Sequence, residues 1–96
     1  MRVVVSDRAD NDLLEILSYL SQRNSQAADN LLDQIARCFE GVSSFPRIGV
    51  ARPELGLDVR RLVVAPYLVF YAARRDHITI LRVLHGSRDI EAEFSV

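Results

Sequence analysis

The sequence contains no lysine, so all twelve of its basic residues are arginines. Arginine binds carboxylates and phosphates through a planar fork of donors, which suits an arginine-bearing surface to an anionic partner. Residues 1–45 carry four arginines against seven acidic residues, whereas residues 46–96 carry eight against six. A lysine-poor genome is an alternative explanation for the missing lysine, and a split of this size can arise by chance. The basic second half is nevertheless a candidate binding surface.

Cysteine and histidine are also scarce. The single cysteine excludes an internal disulfide, and with the two histidines it shows no ligand-like spacing. We therefore expect no metal site and no cofactor. Cys38 falls on the apolar stripe of a predicted helix and is interpreted as a small buried apolar residue rather than a reactive thiol. Neither a glycine-rich phosphate loop nor a serine nucleophile elbow is found.

Long apolar runs are absent as well. No run approaches the eighteen or so residues of a membrane span. The run Val3–Val5 is too short for a signal peptide, which together with the lone cysteine predicts a cytoplasmic protein. The length of 96 residues, 49% of them apolar and 26% charged, predicts one domain over residues 1–96.

Apolar spacing in the first half predicts a short strand followed by two helices. The strand covers Val3–Val5, and Ser6 caps a helix from Asp7 to Gln22 whose polar side includes Asp12. A second helix begins at Asn24 or Ser25 and ends near Gly41 to Ser44, before Pro46. The short turn between them predicts an antiparallel hairpin whose apolar stripes cover a sheet.

The second half predicts that sheet. The segment Pro46–Gly56, with two prolines and two glycines, is either a functional loop or only the crossover to the strands. Strands follow at Val59–Val64, Tyr67–Arg74 and His77–Leu84, and Ser87–Phe94 predicts a last helical turn. The fold class is therefore α+β: an N-terminal strand and a helical hairpin packed on a mostly antiparallel sheet of about four strands. The place of the first strand in the sheet is not determined by the sequence.

One charged residue interrupts the third of these strands. Strand alternation predicts that Arg82 shares a face with Ile78, Ile80 and Leu84, where an arginine needs a partner or a water-filled cleft. Metal-free RNA cleavage is one chemistry that such a residue could serve, with His85 as the base and Arg61 and Arg82 among the arginines on the phosphate. The alternative, which the sequence favours, is that His85 closes the strand and hydrogen-bonds backbone.

Several short sequence motifs, in the same order along the chain, resemble those of the ParE branch of the RelE/ParE toxin superfamily. Leu81–Asp89 is similar to the closing motif of that branch. Its middle is matched by Phe45-Pro46 with Gly49, by the arginine at Arg60 or Arg61, and by Tyr67–Tyr71. Ala9, Asp12, Leu13, Ile16 and Tyr19 match its first helix, so the resemblance covers nearly the whole chain.

The resemblance implies a toxin of a type II toxin–antitoxin pair that poisons DNA gyrase without an established enzymatic site. The implied partner is a ParD-like antitoxin, a ribbon–helix–helix protein with a disordered C-terminal tail, through which alone the toxin would meet DNA. The RelE branch cleaves mRNA on the ribosome with lysines, arginines and a late tyrosine. This chain has no lysine and no tyrosine after Tyr71, which argues against that activity. An inactive toxin that serves only as co-repressor is a third hypothesis.

Eight residues are predicted to contact the target or the antitoxin. Four arginines are expected to meet carboxylates of the antitoxin, bidentately where geometry allows: Arg60, Arg61, Arg74 and Arg82. The full set is Arg60, Arg61, Tyr71, Arg74, Arg82, His85, Arg88 and Asp89.

Overall fold

A helical hairpin packs against one face of a five-stranded sheet in the computed structural model, which describes residues 1–95. The sheet order is β1-β5-β4-β3-β2, with β1 parallel to β5 and the other pairs antiparallel. The predicted α+β class is confirmed. The elements are β1 (Arg2–Val5), α1 (Asp7–Arg23), α2 (Ser25–Ser44), β2 (Val50–Ala51), a 3₁₀ helix (Pro53–Leu55), β3 (Val59–Val64), β4 (Tyr67–Ala73), β5 (His77–His85) and α3 (Ile90–Phe94).

Both long helices begin at the predicted caps. The Ser6 hydroxyl accepts a hydrogen bond from the Ala9 amide at 3.1 Å, and Asn24 accepts one from the Ala27 amide at 3.1 Å. These bonds satisfy amides that the first turn of a helix leaves free. The Ser6 hydroxyl also donates to the Leu81 carbonyl at 3.0 Å, which fixes the start of α1 against β5.

The structure places the first strand, which the sequence could not. β1 lies at one edge of the sheet, with Val3 opposite Ile78 and Val5 opposite Ile80. At the other edge, the loop after α2 contains the two-residue strand β2, paired with Arg60 and Arg61 of β3. The sheet therefore has five strands where about four were predicted.

A β-bulge in β5 corrects the predicted face of Arg82. Phe70 of β4 lies opposite Arg82, but the next residue, Tyr71, lies opposite Ile80, so Leu81 is the extra residue. Residues opposite each other in an antiparallel pair share a face. Arg82 therefore shares a face with Leu84 but not with Ile78 and Ile80, because alternation is interrupted between them.

Two apolar clusters lie on opposite faces of the sheet. Under the hairpin lie Ala9, Leu31, Ile35, Val42, Val69, Tyr71, Ile78, Ile80 and Val83. On the other face lie Val59, Phe70 and Leu84, with Leu55, Leu68, Leu81, Ile90 and Phe94 packed on them. Residues of α3 and of the 3₁₀ helix thus partly cover this second face of the sheet. Within residues 1–95, no helix has the length and apolar character needed to cross a membrane.

Candidate functional site

Arg82 is buried and fully engaged by two carboxylates of the same chain. Its Nε and Nη2 atoms donate to the two oxygens of Asp12 at 2.8 and 3.0 Å, and its Nη1 donates to the Glu93 carboxylate at 3.2 Å. Only 7% of the residue is exposed. Hydrogen bonding to Asp12, followed by the charges of both acids, raises the pKa of the Arg82 guanidinium. The partner that the sequence required is therefore intramolecular, and a role for Arg82 in binding another protein stays a prediction.

Glu93 extends this arrangement to Arg88, so that four charged residues form one cluster at the C-terminal end of β5. Glu93 accepts hydrogen bonds from Arg82 and from Arg88, the latter with a half-exposed side chain. The Arg88 hydrogen bond is the main cause of a lowered pKa for Glu93. We call Asp12, Arg82, Arg88 and Glu93 the ion-pair cluster. It ties α1 and α3 to β5.

Aromatic packing and a cap hold α3 beside this cluster. The Phe94 ring meets the buried Phe70 ring edge-on, with centroids 5.1 Å apart and planes at 68°. The Asp89 side chain accepts from the Ala92 amide at 3.3 Å and caps α3. Asp89, a predicted contact residue, therefore has a structural role in the start of this helix.

His85 is exposed at the end of β5. Its ring lies edge-on to Tyr67 with centroids 5.6 Å apart, and its Nδ1 accepts from the Ser87 amide at 3.0 Å. The Ser87 hydroxyl also lies 2.8 Å from the same nitrogen. His85 therefore hydrogen-bonds backbone at the strand end, in keeping with the alternative that the sequence favoured.

The three residues considered for RNA cleavage do not share a face of the sheet. Arg61 and Arg82 both lie opposite Phe70, on the face that carries α3. His85 lies opposite Tyr67, whose side chain packs with the cluster under the hairpin. Among residues 1–95 the buried Nε of Arg61 has no hydrogen-bond partner. The side chains are thus not gathered around one reacting centre.

Tyr71 and Arg60 hold the loop that follows α2. The Tyr71 hydroxyl donates to the Pro46 carbonyl at 2.8 Å and accepts from the Gly49 amide at 2.9 Å. The Nη1 atom of Arg60 donates to the carbonyls of Gly49 at 2.8 Å and Arg47 at 3.3 Å. Burial raises the pKa of Tyr71. These two predicted contact residues therefore position a loop.

Arg74 belongs to a groove that the sequence did not predict. The groove has a volume of about 1,020 Å³ and lies between the end of α2, the loop after it and the β4–β5 turn. Met1, Phe45 and Ile48 line it with apolar surface, and the arginines along it are Arg47, Arg74 and Arg75. We call it the arginine-rimmed groove. The sequence signal was weak: two large apolar residues within a segment otherwise typical of turns.

Ile48 also lines a second groove of about 590 Å³ between α2 and β3, together with Cys38 and Val63. Cys38 is half-buried, where a buried residue was predicted. Its partial burial raises the pKa of the thiol, which disfavours the reactive thiolate.

Comparison with known proteins identifies the family. Residues 3–90 match the family model described as ParE toxin of type II toxin-antitoxin system, parDE. The chain is 29% identical over 93 residues to Toxin ParE3 of Caulobacter vibrioides, covering 96% of this chain and 93% of that protein. Its fold is similar to that of a chain in the solved structure titled "Chromosomal ParDE TA system from P. aeruginosa", with a TM-score of 0.73 and 20% sequence identity. The match covers 88% of this chain and 95% of that chain. The family match spans all but the ends of the chain, and so this protein belongs to the ParE toxin family of type II toxin–antitoxin systems.

Proposed function

We propose that this chain arrests bacterial growth by binding a protein target, DNA gyrase, and that a cognate antitoxin neutralises it. The observation that carries the proposal is the family match over residues 3–90. The antitoxin would be a ribbon–helix–helix protein with a disordered C-terminal tail that orders on the toxin. Contact with DNA would occur only through that antitoxin, and the complex would act in the cytoplasm.

The separation of His85 from the two arginines supports binding rather than catalysis. Metal-free RNA cleavage needs a proton-transfer group and phosphate-holding cations around one reacting centre. Here His85 lies on the opposite face from Arg61 and Arg82, and Arg82 is occupied by Asp12 and Glu93. A protein–protein contact places no such demand on the arrangement.

The exposed end of β5 is the surface we assign to the target. His85 and Arg88 are exposed there, and α3 and the ion-pair cluster hold this end in one conformation. Arg60, Tyr71 and Arg82 are assigned positioning roles, since their polar groups bond within the chain. Arg61 remains a candidate for contact. Arg74 also remains one because it lines the arginine-rimmed groove, although its Nη1 donates to the Leu57 carbonyl at 3.1 Å.

Controlled expression in a bacterium that lacks the antitoxin tests this function. The DNA damage response, cell length and mRNA integrity are measured in the same culture. We expect growth arrest with filamentation, damage response and intact transcripts, and recovery when the antitoxin is co-expressed. Arrest with cleaved transcripts would contradict gyrase binding and point to the ribonuclease. Normal growth at a verified protein level would contradict toxicity itself.

A further inference from the structure

We propose that the arginine-rimmed groove is a docking site for an acidic, amphipathic segment of the antitoxin. The inference rests on the proposed function, because it assumes an antitoxin partner. It adds the surface and the chemistry of the segment that binds there: large apolar side chains entering the groove, with aspartates or glutamates beside them.

The apolar lining of the groove is unusually exposed for residues of its kind. Phe45 is 67% exposed and Ile48 56%, and Met1 lies beside them in the same groove. Clustered exposed apolar side chains in a concave site are typical of a surface that another molecule covers. A volume of about 1,020 Å³ accommodates several side chains of a partner.

The charges of the groove select an acidic occupant. Among the described residues that line it are three arginines, Arg47, Arg74 and Arg75, and one acid, Asp58. Asp58 lies 3.6 Å from Arg74, but within residues 1–95 no carboxylate lies within 4 Å of Arg47 or Arg75. Two exposed guanidinium groups beside an apolar surface can each form a bidentate pair with a partner's carboxylate.

The groove is also held in shape before any partner arrives. Tyr71 fixes the loop through Pro46 and Gly49, and the Met1 amino group donates to the Ser43 carbonyl at 3.1 Å. A preformed surface loses little conformational freedom on binding, so the ordering cost falls mainly on the disordered antitoxin segment.

Binding of this 96-residue chain to its cognate antitoxin, the ribbon–helix–helix protein proposed above, tests the docking site. Arg75→Glu reverses a groove charge, and Arg8→Glu makes the same change at an exposed site on α1. Phe45→Ala removes apolar surface from the groove, and Leu14→Ala, at a residue 58% exposed, removes it elsewhere. We expect each groove variant to weaken binding about tenfold or more, and each control to stay within about twofold of wild type. Arg75→Glu should also reduce the salt dependence of binding.

A photo-reactive amino acid at position 45 gives a second readout that does not depend on affinity. We expect it to crosslink to an acidic stretch of the antitoxin, identified by mass spectrometry. Wild-type affinity of both groove variants, or crosslinks to a stretch without acidic residues, would overturn the docking site while leaving the antitoxin partner in place. No binding by the wild-type chain would instead overturn the proposed function. A dimer of the toxin alone that Phe45→Ala dissociates would assign the groove to a second copy of this chain.

Discussion

Arg82 joins three elements through charged hydrogen bonds, because Asp12 belongs to α1, Glu93 to α3 and Arg82 itself to β5. Asp12 also accepts from the Val83 amide at 3.0 Å, so its carboxylate is shared between a side chain and the strand backbone. Removing the cation would leave two acids close together with little solvent around Asp12. Removing one partner of a buried ion pair destabilises a protein far more than replacing both partners with apolar residues, because it leaves a buried charge without a partner.

Arg82→Ala should therefore lower the free energy of unfolding by about 3 kcal/mol, the cost typical of removing one partner of a buried pair. Urea unfolding followed by circular dichroism measures this change. The matched control is Arg75→Ala, which removes an exposed arginine of the β4–β5 turn and should change stability by about 0.5 kcal/mol or less. Equal stability of the two variants would show that Arg82 is dispensable for the fold and available to a partner.

The sequence predicted that Arg82 needs a partner or a water-filled cleft, but it did not identify Asp12 as the partner. Asp12 lies 70 residues earlier and was placed on the polar side of its helix, where a solvated carboxylate is ordinary. Apolar spacing reports which side of a helix is buried, but not which edge residue reaches a buried charge on another element. The groove was missed for a related reason, since Phe45 and Ile48 belong to no periodic pattern.

At the scale of elements, α3 is too short to be stable by itself and depends on its neighbours. Phe94 packs on Phe70, Asp89 caps the first turn, and Glu93 bonds to Arg82 and Arg88. The pKa of Glu93 is lowered, so it binds a proton less readily in the folded chain. A lowered pKa contributes stability above the unfolded pKa of about 4.3, which is lost as pH falls through the folded value.

Acidification from pH 6 to below 4 should therefore loosen α3. The measurement is the NMR signal of the Phe94 ring, whose contact with Phe70 reports docking of the helix. In Glu93→Gln the signal should lose most of this pH dependence, whereas Glu91→Gln, at an exposed position of the same helix, should titrate like wild type. The reverse pattern would show that Glu93 does not hold α3.

The sequence predicted the positions of the long helices and of most strands, but it did not predict the bulge in β5 or the short strand β2. Both long helices and four strands begin within a residue or two of the predicted positions, because their caps and apolar spacing are local signals. The bulge at Leu81 and the two-residue β2 depend on the strand opposite, so no local pattern encodes them. For that reason the predicted shared face of Arg82 with Ile78 and Ile80 was wrong, whereas its shared face with Leu84 was right.

In the whole molecule, the first and the last strand of the chain are neighbours in one sheet. β1 pairs with β5, and the Ser6 hydroxyl donates to the Leu81 carbonyl across 75 residues of sequence. The hairpin lies between these strands in the chain and packs on the same sheet. No local sequence signal determined where β1 pairs, so its position depends on the folding of the whole chain. A substitution that weakens the packing of β1 should therefore destabilise the hairpin and the sheet together.

Val3→Ala should accordingly lower the midpoint of a single unfolding transition. Val3 packs against the cluster under the hairpin, and its truncation should cost about 1 kcal/mol. Val4→Ala on the same strand, at a residue 39% exposed, should cost about 0.5 kcal/mol or less. Circular dichroism follows the helices, and tyrosine fluorescence follows the sheet through Tyr67 and Tyr71 once Tyr19 of α1 is replaced by phenylalanine in the reference chain and in both variants. Coincident shifts of the two probes are expected, because the apolar face of the hairpin and the sheet form one buried cluster. A Val3→Ala transition seen by one probe alone would show that the hairpin and the sheet unfold separately.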